Sequence, residues 1–171
     1  MANRYYLNEF QSPRTGNCVF ISHQKKDKVV AKKIADYINN AGIDIYFDEY
    51  DSSIDRDDPN SVVRAIKNGI KKSTHMLCIL SQNALDSKWM PWEIGYGYDR
   101  LQVAGITVKE LSKSLLPEYL QIVPVIRGTK TLNTYIANTA GRIEDSLIRE
   151  QCIYSASMMD HPLDSVLDWQ L

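Results

Sequence analysis

Cysteine is scarce in this chain: three residues among 171, at Cys18, Cys78 and Cys152. An odd number without regular spacing builds no disulfide framework. A chain this long buries about two-thirds of its unfolded surface and needs no such staple. Cys18 and Cys78 stand inside apolar runs, as small buried hydrophobes of a reducing cytosol do. No CxxC or HxxxH pair is present, so no metal site is expected. An excess of one charge is also missing: 20 Lys and Arg meet 21 Asp and Glu, for a net charge of −1. Nucleic-acid binders usually carry a basic excess, so nucleic acid is not an expected partner. No apolar run approaches the roughly 20 residues that cross a bilayer. The opening MANRYYLNEF lacks the apolar core of a signal peptide. A cytoplasmic protein with no membrane partner is the expectation. Two motifs are absent as well. Without GxGxxG there is no dinucleotide-cofactor fingerprint, and without GxSxG there is no hydrolase nucleophile elbow.

What is present fits one globular domain of ordinary composition, 44% hydrophobic and 24% charged. Residues 1–16 carry Pro13 and Gly16 without a clear period and read as an N-terminal extension. Cys18 to Ser22 is a short apolar run of the buried-strand type. Lys26 to Ala41 has apolar residues at helical spacing and lysines on the other face, and Gly42 ends it as a left-handed cap. Ile43 to Phe47 reads as a second strand. The acidic stretch from Asp48 to Pro59 reads as a solvated loop, since it lacks the glycine a calcium loop needs. A helix capped by Asn60 or Ser61 carries Val62, Val63, Ile66 and Ile70. Met76 to Leu80 is a third strand, and a helix from about Ser87 to Leu101 follows. Pro91 fits only the first turn of that helix. Residues 105–120 are ambiguous. Ile122 to Ile126 reads as a fourth strand and Thr131 to Glu150 as one helix. In the tail, 151–171, Ile153 and Tyr154 fit an edge strand.

Strands alternating with helices predict an α/β fold, a flavodoxin-like doubly wound parallel sheet. Right-handed crossovers restrict the topology, and the order 2-1-3-4-5 is expected. Such sheets bind ligands at the carboxyl ends of the strands, where the winding reverses. Here that is the crevice between the first and third strands. Ser22 to Lys25 and Ser81 to Glu93 are delivered to it.

The sharpest motif is Trp89-Met-Pro-Trp-Glu93. Residues four apart share a helix face. A carboxylate beside a large aromatic suits a cationic or aromatic ligand. The same spacing also fits a Glu favoured by the helix dipole and a Trp buried in the core.

With these residues in view, the chain resembles the Toll/interleukin-1 receptor (TIR) domain family in its bacterial form. Cys18-Val-Phe-Ile-Ser22-His23 is similar to the first family box, and Ile45-Tyr-Phe-Asp48 to the end of the second strand. Asp48 to Asn60 occupies the place of the family's mobile BB loop, though Asp58-Pro59-Asn60 lacks the glycine often found after this proline. Leu80-Ser81 through Trp89 to Glu93 resembles the third-strand and third-helix segment. The resemblance spans about residues 17–130, within a domain read as 17–150.

The resemblance implies that Glu93 matches the family's catalytic glutamate. Enzymes of this family cleave NAD+ between nicotinamide and ribose, and some cyclise or transfer the ADP-ribose to make a signal. Stand-alone, Thoeris-like members act in antiphage defence, where the product activates a separate effector protein. NAD+ is then substrate, and no cofactor is implied. By family position the loop after the first strand borders the nucleotide, with Phe20, Ser22, His23 and Lys25 as candidates. His23 would stack and Lys25 would meet the diphosphate. Asp48 is a candidate for a ribose or loop contact. Ser87 fits a helix cap that also touches substrate, and Trp89 either stacks on a base or packs. Self-association through TIR–TIR contacts is also implied. Two alternatives stay open: a non-catalytic TIR–TIR interaction module, and a nucleoside deoxyribosyltransferase-like enzyme, which shares the sheet type and uses a Glu.

A lone carboxylate suits this chemistry. Glycosidases usually need two carboxyl groups because a sugar alkoxide leaves poorly without a proton. Nicotinamide leaves a pyridinium as a neutral molecule and needs no general acid. One carboxylate to orient ribose and stabilise an oxocarbenium-like transition state suffices.

Overall fold

Short apolar runs bounded by polar residues become the strands of a single sheet. The computed structural model of the chain describes residues 16–47, 55, 57–109, 111 and 116–168. The strands are β1 (Cys18–Ser22), β2 (Asp44–Tyr46), β3 (His75–Leu80), β4 (Gln102–Thr107) and β5 (Val125–Ile126). All neighbours pair in parallel, in the order β2-β1-β3-β4-β5. This is the doubly wound order expected from the crossover rules. The helices are α1 (Lys28–Asn40), α2 (Pro59–Lys72), α3 (Gln82–Leu85), α4 (Trp89–Tyr98), α5 (Glu118–Gln121), α6 (Thr129–Ala140) and α7 (Glu144–Arg149). A single 3-10 turn, Lys25–Asp27, precedes α1.

Strand side chains alternate between two cores. Val19, Ile21, Leu77 and Ile79 face Ile34 and Ile38 of α1 and Leu132 and Ile136 of α6. Phe20, Met76, Cys78 and Leu80 face Ile66 and Ile70 of α2 and Met90 and Ile94 of α4. Helices on both faces explain why β1 and β3 are buried along their whole length. Gly42 takes the left-handed conformation after α1, at φ 84°.

The structure departs from the sequence reading in several places. The fourth strand is Gln102–Thr107, and the stretch around Ile122–Ile126 supplies the fifth, shortened to two residues. Beside β3, β4 carries Gly105, where a Cβ would lie 2.6 Å from Leu80 Cδ1. The small residue that admits Leu80 also dilutes the apolar run. The cap of α2 is Asp58, not Asn60 or Ser61: its carboxylate accepts both of their N–H groups, and Pro59 opens the helix. The segment that lacks the family's glycine is therefore a helix start. One expected helix over 131–150 is two, divided at Gly141, whose φ is 63°. Ile153 and Tyr154 form no strand. Tyr154 instead gives its N–H to Tyr37 Oη (2.9 Å) and receives Asn133 Nδ2 on its carbonyl (2.8 Å). Side chains do there what a ladder would. The tail buries Ile153, Leu163 and Leu167 in the α1–α6 core. Among the described residues no helix is long and apolar enough to cross a membrane.

Candidate active site

β1 ends at Ser22 and β3 at Leu80, and between those carboxyl ends the winding direction reverses. The loop after β1 forms one wall of the crevice. The segment from Ser81 into α4 forms the other. α4 begins because Ser87 Oγ accepts the N–H groups of Trp89 (3.1 Å) and Met90 (3.2 Å). These are donors that a first helical turn leaves unpaired. Pro91 sits third in the helix, where its missing N–H removes nothing.

Glu93 lies one turn into α4 and is half-buried. Ser22 Oγ, itself 2% exposed, donates to Glu93 Oε2 at 2.5 Å across the crevice. A hydroxyl on a carboxylate makes a short, charge-assisted bond that fixes the acceptor's orientation. Beneath them Cys78 stands beside Ser22 in the sheet register. Burial pushes its thiol far up, the charge of Glu93 adds to the rise, and the Ser22 hydrogen bond opposes it. Cys78 therefore stays a neutral thiol and offers no nucleophile.

The other candidates divide by position. His23 is half-buried and stacks on Phe47, with centroids 4.4 Å apart and planes 25° apart. Lys25 is exposed at the start of the 3-10 turn. Trp89 is 46% exposed, so it is not a core residue, and it sets its edge against Trp92 at 5.9 Å. Trp92 in turn stacks on Tyr96 at 5.7 Å. Phe20 is not at the open crevice: it is 3% exposed, stacked on Tyr46 in the core below. Asp48 and the acidic stretch that follows it, residues 48–54, lie outside the described residues. Among the described residues no group of three or more His, Cys, Asp or Glu is placed to hold a metal.

Four residues that join the two walls are not among the sequence candidates, although Gln24, Ser81 and Asn83 lie in the two segments expected at the crevice and only Asp27 falls outside them. Gln24 Nε2 donates to Ser87 Oγ at 2.7 Å. The Asp27 carboxylate accepts from Ser81 Oγ at 2.5 Å and from Asn83 Nδ2 at 2.9 Å. Asp27 is 7% exposed, although it stands in a run of lysines that reads as a solvated helix face. A serine immediately after a buried strand was the available signal, since such residues cap the next helix.

A doubly wound α/β domain with a half-buried carboxylate oriented at its switch-point crevice is the class that this geometry defines. A family model for the TIR domain matches residues 19–133, and the chain belongs to that family. Among its relatives is the NAD(+) hydrolase TcpC of Escherichia coli O6:H1 (strain CFT073). The two are 34% identical over 76 residues, covering 44% of this chain and 24% of the relative. A second relative, from Cytobacillus dafuensis, bears the name "Putative cyclic ADP-D-ribose synthase TIR2". It is 33% identical over 81 residues, covering 46% of this chain and 21% of that protein. The matches thus span less than a quarter of either relative. A metazoan TIR-STING receptor from C. gigas, solved in complex with 2',3'-cGAMP, shares the fold at TM-score 0.55. It is 21% identical, and the match covers 77% of this chain and 41% of that one.

Proposed function

We propose that this chain cleaves NAD+ at the bond between nicotinamide and ribose, with Glu93 as the catalytic carboxylate. The observation that carries the reading is the hydrogen bond from buried Ser22 to half-buried Glu93 at the switch-point crevice. It holds a carboxylate ready before substrate arrives, and preorganised charge is usually the largest single contribution to catalysis. The name of one relative, an NAD(+) hydrolase, supports this substrate, and that of the other, "Putative cyclic ADP-D-ribose synthase TIR2", supports an ADP-ribose product.

In this reading the C–N bond to the pyridinium breaks and its electron pair leaves with neutral nicotinamide. Glu93 faces the ribose as positive charge develops on it. Water then adds at the anomeric carbon and loses a proton to give ADP-ribose, or a nucleophile within the ADP-ribose adds to give a cyclic product. Trp89 and His23 offer stacking surfaces and Lys25 a cation for the diphosphate. The product is a diffusible signal that acts on a separate effector in antiphage defence, and self-association completes the active form.

The test is nicotinamide release from NAD+, followed by chromatography. Glu93→Gln is expected to lower kcat about 100- to 1000-fold while KM changes little. Turnover by Glu93→Gln at the parent rate would remove the catalytic assignment. No release by the parent, even at concentrations where it self-associates, would leave the non-catalytic TIR–TIR module as the function.

A further inference from the structure

Past the last β1–β3 pair, Ser22 beside Cys78, no backbone ladder joins the two walls of the crevice. Side chains take over. Ser22 reaches Glu93, and Met90 and Ile94 anchor the apolar side of α4 in the core. Three further hydrogen bonds cross the crevice to the chain that leads through α3 into α4. Gln24 grips Ser87 at 2.7 Å, and Asp27 grips Ser81 at 2.5 Å and Asn83 at 2.9 Å.

Both serines already have local work. Ser81 Oγ accepts the Ala84 N–H at 3.1 Å and heads α3. Ser87 Oγ serves the first N–H groups of α4. Gln24 and Asp27 thus each hold a hydroxyl that heads a helix on the opposite wall. The two holders form one unit, because the Asp27 N–H donates to the Gln24 carbonyl at 2.8 Å. Burial makes the Asp27 contact obligatory. A carboxylate with so little exposure needs donors on its oxygens, and both oxygens find them across the crevice.

We infer that Gln24 and Asp27 are positioning residues that set the tilt of α4, and so place the Glu93 carboxylate against the β1 loop. Glu93 stands about 6 Å along the helix from Trp89, at 1.5 Å per residue. A small rotation at the clamped end displaces it, and a misplacement of about 1 Å lowers a rate by up to about 100-fold. The inference rests on Glu93 being the catalytic carboxylate.

The experiment uses Gln24→Met, Asp27→Asn and the exchanged pair Asp27→Asn with Asn83→Asp. Gln24 is half-buried, so Gln24→Met keeps the fold available should Asp27→Asn fail to fold. Gln24→Met and Asp27→Asn are each expected to lower kcat for NAD+ about 10- to 100-fold, with KM within about threefold. The exchanged pair restores a carboxylate facing an amide and is expected to regain most of the lost kcat. A kcat for Gln24→Met within about twofold of the parent, or an exchanged pair no faster than Asp27→Asn, would overturn the inference. Amide hydrogen exchange reads the clamp without turnover. In Gln24→Met the amides of residues 84–93 are expected to exchange faster while those of β4 and β5 do not change. Unchanged exchange over 84–93 overturns it as well. An inactive parent with faster exchange over 84–93 in Gln24→Met would instead sink the activity reading and leave the clamp standing.

Discussion

Cys18 and Cys78 are both fully buried on neighbouring strands, while Cys152 is half-buried near α7. Reactivity follows the thiolate, and burial suppresses it. At Cys78 the suppression is reinforced by the Glu93 charge, so this thiol is the most inert near the site. Iodoacetamide at pH 8 is expected to label Cys152 in the native protein, and Cys18 and Cys78 only after unfolding. Peptide mapping reads the outcome, and labelling of Cys78 at the Cys152 rate would contradict the packing described around Ser22. At this scale the sequence discloses a residue when its chemistry and its spacing agree. Glu93 is instead singled out by its resemblance to the family's glutamate, because its spacing from Trp89 fits a helix-dipole carboxylate equally well. Ser22 is legible because it ends a buried strand. Asp27 is not, because its lysine neighbours dominate the local pattern, and only the fold brings Ser81 and Asn83 to it.

Among the elements, Gly69 of α2 and Gly95, one of two glycines in α4, stand in opposite surroundings. At Gly69 a Cβ would lie 2.4 Å from Tyr46 Cε1. The Tyr46 ring has nowhere to move: it stacks on Phe20 at 5.3 Å, and its hydroxyl donates to the Ala65 carbonyl at 3.3 Å. Gly69→Ala is expected to destabilise by about 1–3 kcal/mol from overpacking, outweighing the roughly 1 kcal/mol that alanine adds in helix propensity. At Gly95 an added Cβ would meet nothing within 4 Å, and the residue is exposed. Gly95→Ala is expected to stabilise by about 0.5–1 kcal/mol. Urea midpoints of the two variants decide it, and a Gly69→Ala as stable as the parent would mean that Tyr46 yields. The same logic explains what the periodicity missed. Gly105 thins the apolar signal of β4 for the sake of Leu80, so a strand inside the sheet reads as an ambiguous segment. α3 has four residues, too few for a period, and only Ser81 announces it. β1 and β3, buried on both faces, read as uninterrupted apolar runs and are placed to within a residue.

Across the whole molecule, strand order follows from general handedness rules, while the docking of the tail depends on contacts that no local pattern carries. Those contacts centre on a buried polar group. His161 Nδ1 accepts the Leu163 N–H at 3.1 Å, so its proton resides on Nε2, which faces Tyr37 Oη at 3.2 Å. Tyr37 Oη donates to Asn133 Oδ1 at 3.0 Å and is pushed up to about 12, chiefly by burial. Burial also holds His161 below the usual 6.5, against the pull of Asp164, and it lowers His75 at the start of β3 in the same direction. Charging His161 would turn the Nδ1 acceptor into a donor aimed at the Leu163 N–H. In the unfolded chain both histidines take up protons as pH falls through about 6.5, whereas the folded chain resists until lower pH. The unfolded state therefore binds more protons in that window, and stability declines as pH drops below about 6.5. Thermal melts from pH 7.5 to 5.5 are expected to show a falling midpoint, with each kcal/mol lost worth about 2–4 °C in a chain of this size. His161→Gln removes the histidine that titrates within the tail. It is expected to melt lower at pH 7.5, where the Tyr37 network is weakened, yet to show a shallower decline toward pH 5.5, the remainder belonging to His75. Equal slopes in parent and variant would mean that His161 takes up its proton alike in the folded and unfolded chain across this range, and that the tail's docking is indifferent to pH.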